Sequence, residues 1–139
     1  MKKYFIRLGI ILAIAYIFLF LSFSYFNVFD FCFVKIKVPG LASSKENIKK
    51  AIRLLKKSDS ATYSTFCRSI DTIVESDCRS SEWNLNQKVE GQDSPGCYVK
   101  GSKTIYLNPL ITRSLGEKEI SELLRKYSKL SSDFWASKE

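Results

Sequence analysis

The hydrophobic and polar positions divide the chain into one continuous apolar segment followed by a longer region of mixed, periodic patterns. The apolar segment runs from Leu8 to Phe29 and contains 22 residues without a formal charge. Because a helix rises about 1.5 Å per residue, this segment reaches roughly 33 Å and matches a hydrocarbon core of about 30 Å. Aromatic residues that favour the membrane interface lie near its ends: Tyr4, Phe5, Tyr25 and Phe26. The pattern predicts one transmembrane helix over residues 8–29.

A cleaved signal peptide is the main alternative for the apolar segment. Signal peptides usually have an apolar core of about 7–15 residues, followed by a cleavage site of the small-x-small type. Here the apolar run is longer, and its small-x-small candidate, Ser22-Phe23-Ser24, lies inside the run. We therefore expect an uncleaved signal anchor that spans the membrane once.

The charges that flank the apolar segment indicate its direction. The tail of residues 1–7 contains Lys2, Lys3 and Arg7, and cytoplasmic flanks are enriched in such cations. Four lysines on the other side favour the opposite direction: Lys35, Lys37, Lys45 and Lys49. The tail charges are closer to the segment, and Asp30 offsets the far side locally. We therefore expect a cytoplasmic tail over 1–7 and an extracytoplasmic domain over 43–139, joined by an exit segment or linker over 30–42.

The first half of the polar region contains strand and helix patterns. Residues 33–38 alternate apolar and basic side chains, which suits a short edge strand or an extended exit segment. Ser43 or Ser44 can cap a helix that continues to about Lys57, and Asp59 or Ser60 can start a second one. The run IDTIVES then alternates in the manner of a strand.

The second half predicts a hairpin and a long amphipathic helix. Two strand-like runs, 97–100 and 103–108, flank Gly101-Ser102, which is typical of a two-residue hairpin turn. Apolar residues recur at helical spacing from about residue 116 to 138. The patterns together predict an α+β fold: one N-terminal transmembrane helix, then a small domain with about three helices and a β-hairpin or small antiparallel sheet.

The net charge of +8 is spread unevenly. From Lys35 onward there are 19 Lys and Arg residues against 13 Asp and Glu residues, so the domain is mildly basic at +6. A concentration of these cations lies on the first predicted helix of the domain: Lys45, Lys49, Lys50, Arg53, Lys56 and Lys57. Such a helix can rest on anionic headgroups, and its apolar stripe can pack on the domain; the two interpretations are compatible.

Four cysteines in a small exported domain favour disulfides. Cys78 and Cys97 flank a polar loop rich in turn residues, and a bridge between them would stabilise that loop by roughly 3 kcal/mol. We expect the pair Cys78–Cys97. The pair Cys32–Cys67 follows only by elimination, and a free Cys32 at the bilayer edge is an equal alternative.

Histidine is absent from the chain, which limits the chemistry available. Ser-His-Asp and Cys-His catalysis and HExxH zinc sites are excluded, because each of them needs an imidazole. No CxxC pair is present to supply a zinc ligand set. We therefore assign no residue to catalysis, to a cofactor or to a metal ion.

The strand TIYLNP and the following helix, with its acidic start and Ile-Ser-x-Leu-Leu, resemble the core of small zincin-like metallopeptidase domains. In that family such an edge strand lies beside the active-site helix, which carries HExxH, and an earlier helix like NIKKAIRLLKK also fits. The resemblance covers residues 45–137. It places Arg125 and Lys129 at the zinc-binding histidines and Lys126 at the general-base glutamate. Cations cannot ligate Zn²⁺ and lysine is not that base, so the resemblance implies a pseudoenzyme; the alternative is a generic α+β domain.

The sequence thus favours a membrane-anchored, extracytoplasmic, non-catalytic interaction domain. Its expected partners are the lipid bilayer and a protein or envelope component, and nucleic acid is not expected. One alternative is an envelope hydrolase with non-histidine chemistry, which requires a concave pocket with at least two convergent titratable residues. Another alternative is a peripheral module that contacts anionic lipid through its lysine-rich helix.

Overall fold

The computed structural model describes residues 2–22, 24–39, 42–76, 89–90 and 95–138. It has the expected α+β class, with one apolar N-terminal helix, α1 (Lys2–Ser22), and a domain of helices and strands. After α1 the described elements are, in chain order, β1 (Tyr25–Asn27), β2 (Cys32–Lys37), α2 (Ala42–Ser58), α3 (Ser60–Ser69), β3 (Thr72–Glu75), β4 (Val89–Glu90), β5 (Gly96–Val99), β6 (Thr104–Leu107), α4 (Pro109–Thr112) and α5 (Glu117–Ala136).

Helix α1 is long and apolar enough to cross a membrane. The window Tyr4–Leu21 meets this criterion by length and composition, and none of it is buried against the rest of the protein. Large apolar side chains point outward along most of the helix, as they would on a membrane-spanning segment or a signal sequence. This exposed surface separates α1 from the domain core.

The C-terminal end of α1 differs from the prediction. The helix ends at Ser22, whereas the apolar run predicted helix to Phe29. Residues 25–27 instead form β1, which pairs antiparallel with β2, and Tyr25 is buried in the core of the domain. The alternating residues 33–38 favour a strand. Residues Tyr25–Asn27 pair with that strand and therefore do not extend the helix. Much of the predicted exit segment, 30–42, is therefore part of the fold.

The sheet is larger than the predicted hairpin. Within the described residues it has six strands in the order β1-β2-β3-β6-β5-β4. The pairs β2–β3 and β3–β6 are parallel, so the expected small antiparallel sheet is corrected to a mixed one. The parallel pair β2–β3 arises because α2 and α3 connect the two strands, and a helical crossover returns the chain in the same direction. The strand predicted over residues 33–38 corresponds to β2, which lies between β1 and β3 and not at the edge of the sheet.

Three helices cover one face of this sheet. Alternate strand residues such as Val34, Ile73 and Ile105 are fully buried, whereas their neighbours Lys35 and Thr72 are at least partly exposed. The predicted apolar faces of the helices meet these strand residues in one core: Ile48, Ile52, Leu55, Phe66, Ile120, Leu124 and Tyr127. The helix boundaries predicted near 43–57, from 60 onward and near 116–138 are confirmed within one or two residues.

The predicted hairpin is present, with a different turn. Strands β5 and β6 pair antiparallel, with Tyr98 opposite Ile105. The Ser102 N–H donates to the Val99 carbonyl at 2.9 Å, so Gly101 is the third residue of the turn rather than the first of two. Gly101 has a φ of +88°, which L side chains rarely adopt, and this explains the glycine.

A disulfide joins the start of the sheet to α3. Cys32, at the first position of β2, is bonded to Cys67, and their Cα atoms are 4.8 Å apart. The pairing expected by elimination is therefore present, and Cys32 is not free. Cys97 also takes part in a disulfide. Cys78 lies outside the described residues, so the expected Cys78–Cys97 bridge stays a prediction.

The double substitution C32S/C67S should lower the free energy of unfolding by roughly 2–4 kcal/mol, because the bridge closes a loop of about 35 residues in the unfolded chain. Urea unfolding of the full chain in detergent micelles, followed by tryptophan fluorescence, measures the change. The variant Ser64→Ala, at an exposed position on α3, is the control. An unchanged midpoint in C32S/C67S would contradict this role for the bridge.

Candidate functional site

The basic face of α2 lies beside the end of α1. Helix α2 buries Ile48, Ile52 and Leu55 against the sheet, so its lysines and arginine are directed outward by helical periodicity. Because β1 follows α1 after a short connection and β2 follows β1, the first strands bring the end of α1 near this outward side. Phe26 of β1 contacts Tyr16 and Phe20 of α1 edge-on, with ring centroids 5.6 Å and 6.2 Å apart.

An open cavity of about 620 Å³ lies between these elements. Four cations of α2 form one of its walls, and the end of α1 with β1 forms the other. We call this the juxtahelix basic surface; it is lined by Phe20, Ser24, Tyr25, Phe26, Asn27, Lys49, Arg53, Lys56 and Lys57. The four cations recur at spacings of four, three and one, which places them on one side of the helix. The structure therefore brings together cationic and aromatic groups at the end of the apolar helix.

Lys56 connects the two walls of the juxtahelix basic surface. Its ammonium forms an ion pair with the Asp30 carboxylate in the β1–β2 turn. Asn27 donates to the same Asp30 oxygen at 2.6 Å, and the Phe29 N–H donates to the Asn27 side chain at 3.2 Å. These contacts fix the turn against α2, although exposed ion pairs contribute only about 0–1 kcal/mol each.

Glu46 neutralises part of the surface. Its carboxylate lies 3.4 Å from an Arg53 guanidinium nitrogen and 3.9 Å from the Lys49 ammonium. Lys57 has no carboxylate within ion-pair distance among the residues that the structure describes. The Arg53 side chain is 58% exposed, so its charge is still accessible to solvent and to a ligand. The surface as a whole retains an excess of positive charge.

A pair of buried tyrosines supports the surface from below. The hydroxyl groups of Tyr25 and Tyr63 are 3.1 Å apart, and this hydrogen bond connects β1 to α3. The Lys56 ammonium lies 5.6 Å above the centre of the Tyr63 ring. Burial, followed by the hydrogen bond with Tyr25, raises the pKa of the Tyr63 phenol well above its usual value of 10.0. Tyr63 therefore stays neutral and acts as a fixed polar support.

Two of the six predicted surface cations lie elsewhere. Lys50 pairs with Glu117 at the start of α5, with 3.4 Å between the charged atoms, and so connects two helices of the domain. Lys45 does not line the cavity. Sequence reasoning also missed Asp30 and Tyr63 as components of the site, because the strand pairing that brings them to α2 has no local sequence signal. Tyr25 and Phe26, which the sequence predicts near the membrane interface, line the cavity.

The zincin resemblance assigns the positions of the HExxH motif to Arg125, Lys126 and Lys129. These three residues lie on α5, away from the juxtahelix basic surface. Arg125 is 4.0 Å from Asp59 and from Glu122, and Lys126 lies 5.4 Å above the Tyr127 ring centre. Arg125 and Lys129 both line a separate cavity between α3 and α5. The strand that the zincin resemblance would place at the sheet edge, β6, lies between β3 and β5.

The described part of the chain contains no cluster of three or more Cys, Asp or Glu residues that could hold a metal ion. Comparison with known proteins does not add an identity: no protein family, no curated protein and no solved structure matches this chain. The zincin resemblance therefore stays a prediction from the sequence. The juxtahelix basic surface has to be interpreted from its own chemistry.

The substitution Tyr63→Phe should make stability less dependent on alkaline pH. Above about pH 10 the folded chain keeps the Tyr63 proton while the unfolded chain releases its own, so the free energy of unfolding falls as pH rises. Removing the hydroxyl eliminates this dependence of stability on pH. It also lowers the free energy of unfolding at neutral pH by about 1 kcal/mol, because the hydrogen bond with Tyr25 is lost.

Unfolding midpoints of the full chain in micelles between about pH 9 and 11.5 test the expectation. The slope with pH should be shallower in the Tyr63→Phe variant than in the unmodified chain. Tyr4→Phe, at a tyrosine that is 75% exposed, should retain the original slope. Equal slopes in all three proteins would show that Tyr63 titrates normally.

Proposed function

We propose that this chain is a single-pass membrane protein whose α+β domain is a non-catalytic interaction domain held flat against the bilayer. In this proposal α1 spans the membrane, and the juxtahelix basic surface contacts anionic phospholipid headgroups. The observation that carries the proposal is the cavity in which Phe20 of the apolar helix and the α2 cations are opposite walls. A helix that crosses a bilayer must bring its last turn to the headgroup region, and these cations lie beside that turn.

The energetics favour an oriented domain. A basic side chain close to an anionic membrane surface contributes about 1 kcal/mol, and the contribution falls off within a Debye length of about 8–10 Å. Lys57 and Arg53 are exposed and available for this interaction. Aromatic rings such as Phe26 favour the interface beside the headgroups. A few such contacts are enough to select one orientation of a domain that is already tethered.

The direction of insertion rests on two supports. The first is the cationic tail, Lys2, Lys3 and Arg7, which favours a cytoplasmic N-terminus. The second is the Cys32–Cys67 disulfide, because disulfides persist in oxidising compartments and are rare in the cytosol. Both are consistent with an extracytoplasmic domain, and this placement is part of the proposal.

Lysine footprinting of the full chain in nanodiscs tests the lipid contact. Discs with about 30% phosphatidylglycerol should protect Lys49, Lys56 and Lys57 from acetylation, relative to discs of phosphatidylcholine alone. Because the contact is electrostatic, about 0.5 M salt should remove much of the protection. Mass spectrometry of the acetylated peptides gives the extent of modification at each lysine.

Lys118 and Lys126 are internal controls, since both are exposed on α5 and lie outside the surface. Their modification should be the same in the two kinds of disc. The variant Arg53→Gln should reduce the protection of its neighbours, whereas Lys118→Gln should not. Equal modification of Lys49, Lys56 and Lys57 in anionic and neutral discs would refute the lipid contact.

Trypsin added to the outside of intact cells that express the chain tests the direction. It should digest the domain and leave in the membrane an N-terminal fragment that contains α1. Recovery of Lys2 or Arg7 peptides from the membrane fraction also distinguishes an anchor from a cleaved signal sequence. Protection of the domain until the cells are opened would indicate the opposite direction, and loss of the α1 segment from the mature chain would exclude the anchor.

A further inference from the structure

A second charged concavity lies between α3 and α5. It consists of two adjoining cavities of about 530 Å³ and 300 Å³, which share Thr65 and Ser132 as common lining residues. We call it the α3–α5 groove; its lining includes Arg68, Lys103, Arg125, Lys129, Ser132 and Trp135. None of these residues lines the juxtahelix basic surface. The two surfaces are therefore separate features of the domain.

The cations of the groove are arranged as two pairs. Arg68 and Lys103 line the larger cavity, and Arg125 and Lys129 line the smaller one. Among the described lining residues, Asp133 is the acidic one. The described lining thus has an excess of cations, and such a charge pattern attracts an anionic ligand.

Most of these cations are not engaged by the protein. Within the described part of the chain, no carboxylate lies within ion-pair distance of Arg68, Lys103 or Lys129. Arg125 reaches Asp59 and Glu122 only at 4.0 Å, and its Nε atom is buried without a hydrogen-bond partner. The cations of the groove therefore lack short ion pairs within the described part of the chain, and cations in this state can bind an anionic ligand.

Small residues hold the two helices close together at the bottom of the groove. The Ser131 hydroxyl donates to the Ser69 carbonyl at 3.0 Å, and the Ser69 hydroxyl lies 3.3 Å from the Ser128 carbonyl. Ser132, one residue further along α5, makes no hydrogen bond in the described structure. Its hydroxyl is therefore available where the two cavities meet.

The chemistry of the lining favours phosphate over a peptide carboxylate. Arginine forks and hydroxyl donors bind phosphate oxygens well, and a phosphodiester keeps its charge at any physiological pH. An acidic peptide would bring backbone groups that need partners, as in strand addition to a sheet edge. Here the walls are two α-helices whose backbone groups are engaged within the helices. Trp135 supplies one aromatic face at the end of the groove, too few for stacking of successive bases.

We propose that the α3–α5 groove binds a base-free phosphodiester polymer, with one phosphate at each cation pair and Ser132 donating between them. Trp135, whose ring centre lies 5.9 Å from the Lys103 ammonium, contacts the sugar or polyol that links the phosphates. The interaction is non-covalent and needs no metal ion. It is independent of lipid binding by the other surface.

An abasic deoxyribose-phosphate 10-mer is a suitable probe, and poly-L-glutamate of equal charge is the comparison. Binding is measured by thermophoresis on the full chain in phosphatidylcholine nanodiscs, so that the probe meets no anionic lipid. The abasic 10-mer should bind at least about tenfold more tightly than poly-L-glutamate, because only the phosphates can satisfy the two cation pairs and Ser132 together. Equal affinity for the two polymers would overturn the assignment to phosphate.

The double variant R68Q/K129Q removes one cation from each pair at exposed positions without internal partners. It should weaken binding of the abasic 10-mer about tenfold or more and reduce the slope of log affinity against log salt by about two. The matched variant R53Q/K57Q removes two cations from the juxtahelix basic surface and should change the affinity less than about twofold. Unfolding midpoints confirm that both variants are folded. Equal losses in the two variants would show that net charge, rather than the groove, binds the polymer.

Discussion

The structure depends on one covalent constraint: the apolar helix continues into the sheet almost at once. Helix α1 ends at Ser22, and Tyr25 is already in β1 and buried in the core. Because so few residues separate the two, the domain must lie close to the end of α1. Phe26 packs on Tyr16 and Phe20, which restricts this junction further. The position of α2 beside the end of α1 follows from this connection.

The helices of the domain could be predicted because their signals are local. The apolar stripe of α2, the cap at Asp59 and the periodicity of α5 each lie within one short stretch of sequence. Strand β1 could not be predicted in the same way, since Tyr25–Asn27 is apolar and follows directly on an apolar helix. Its pairing with β2 is a tertiary contact, and only that contact distinguishes it from one more turn of the apolar helix.

The difference between local signals and tertiary contacts also limits what the sequence can predict about the charged residues. The sequence identified a lysine-rich helix, but it could not separate Lys50, which pairs with Glu117, from Lys57, which has no such partner in the described structure. The zincin resemblance predicts that Arg125 and Lys129 occupy the positions of two zinc-binding histidines. Their position in the α3–α5 groove depends on the packing of two helices about sixty residues apart in sequence, as the Ser69–Ser131 contact illustrates. Neither distinction has a local sequence signal.

The separation of the two basic surfaces has a thermodynamic consequence for a tethered domain. No described residue lines both surfaces, so the proposed contact with headgroups and the proposed occupation of the groove would not compete for the same cations. In the proposed membrane-anchored state, the domain would stay close to the bilayer, so a polymer attached to the same membrane would meet the groove at a raised effective concentration. Modest affinity at each phosphate would then be sufficient, because the anchor would already have limited the translational freedom that association in solution removes. The short connection between α1 and β1 would in that state contribute to binding, because it keeps the groove near the membrane.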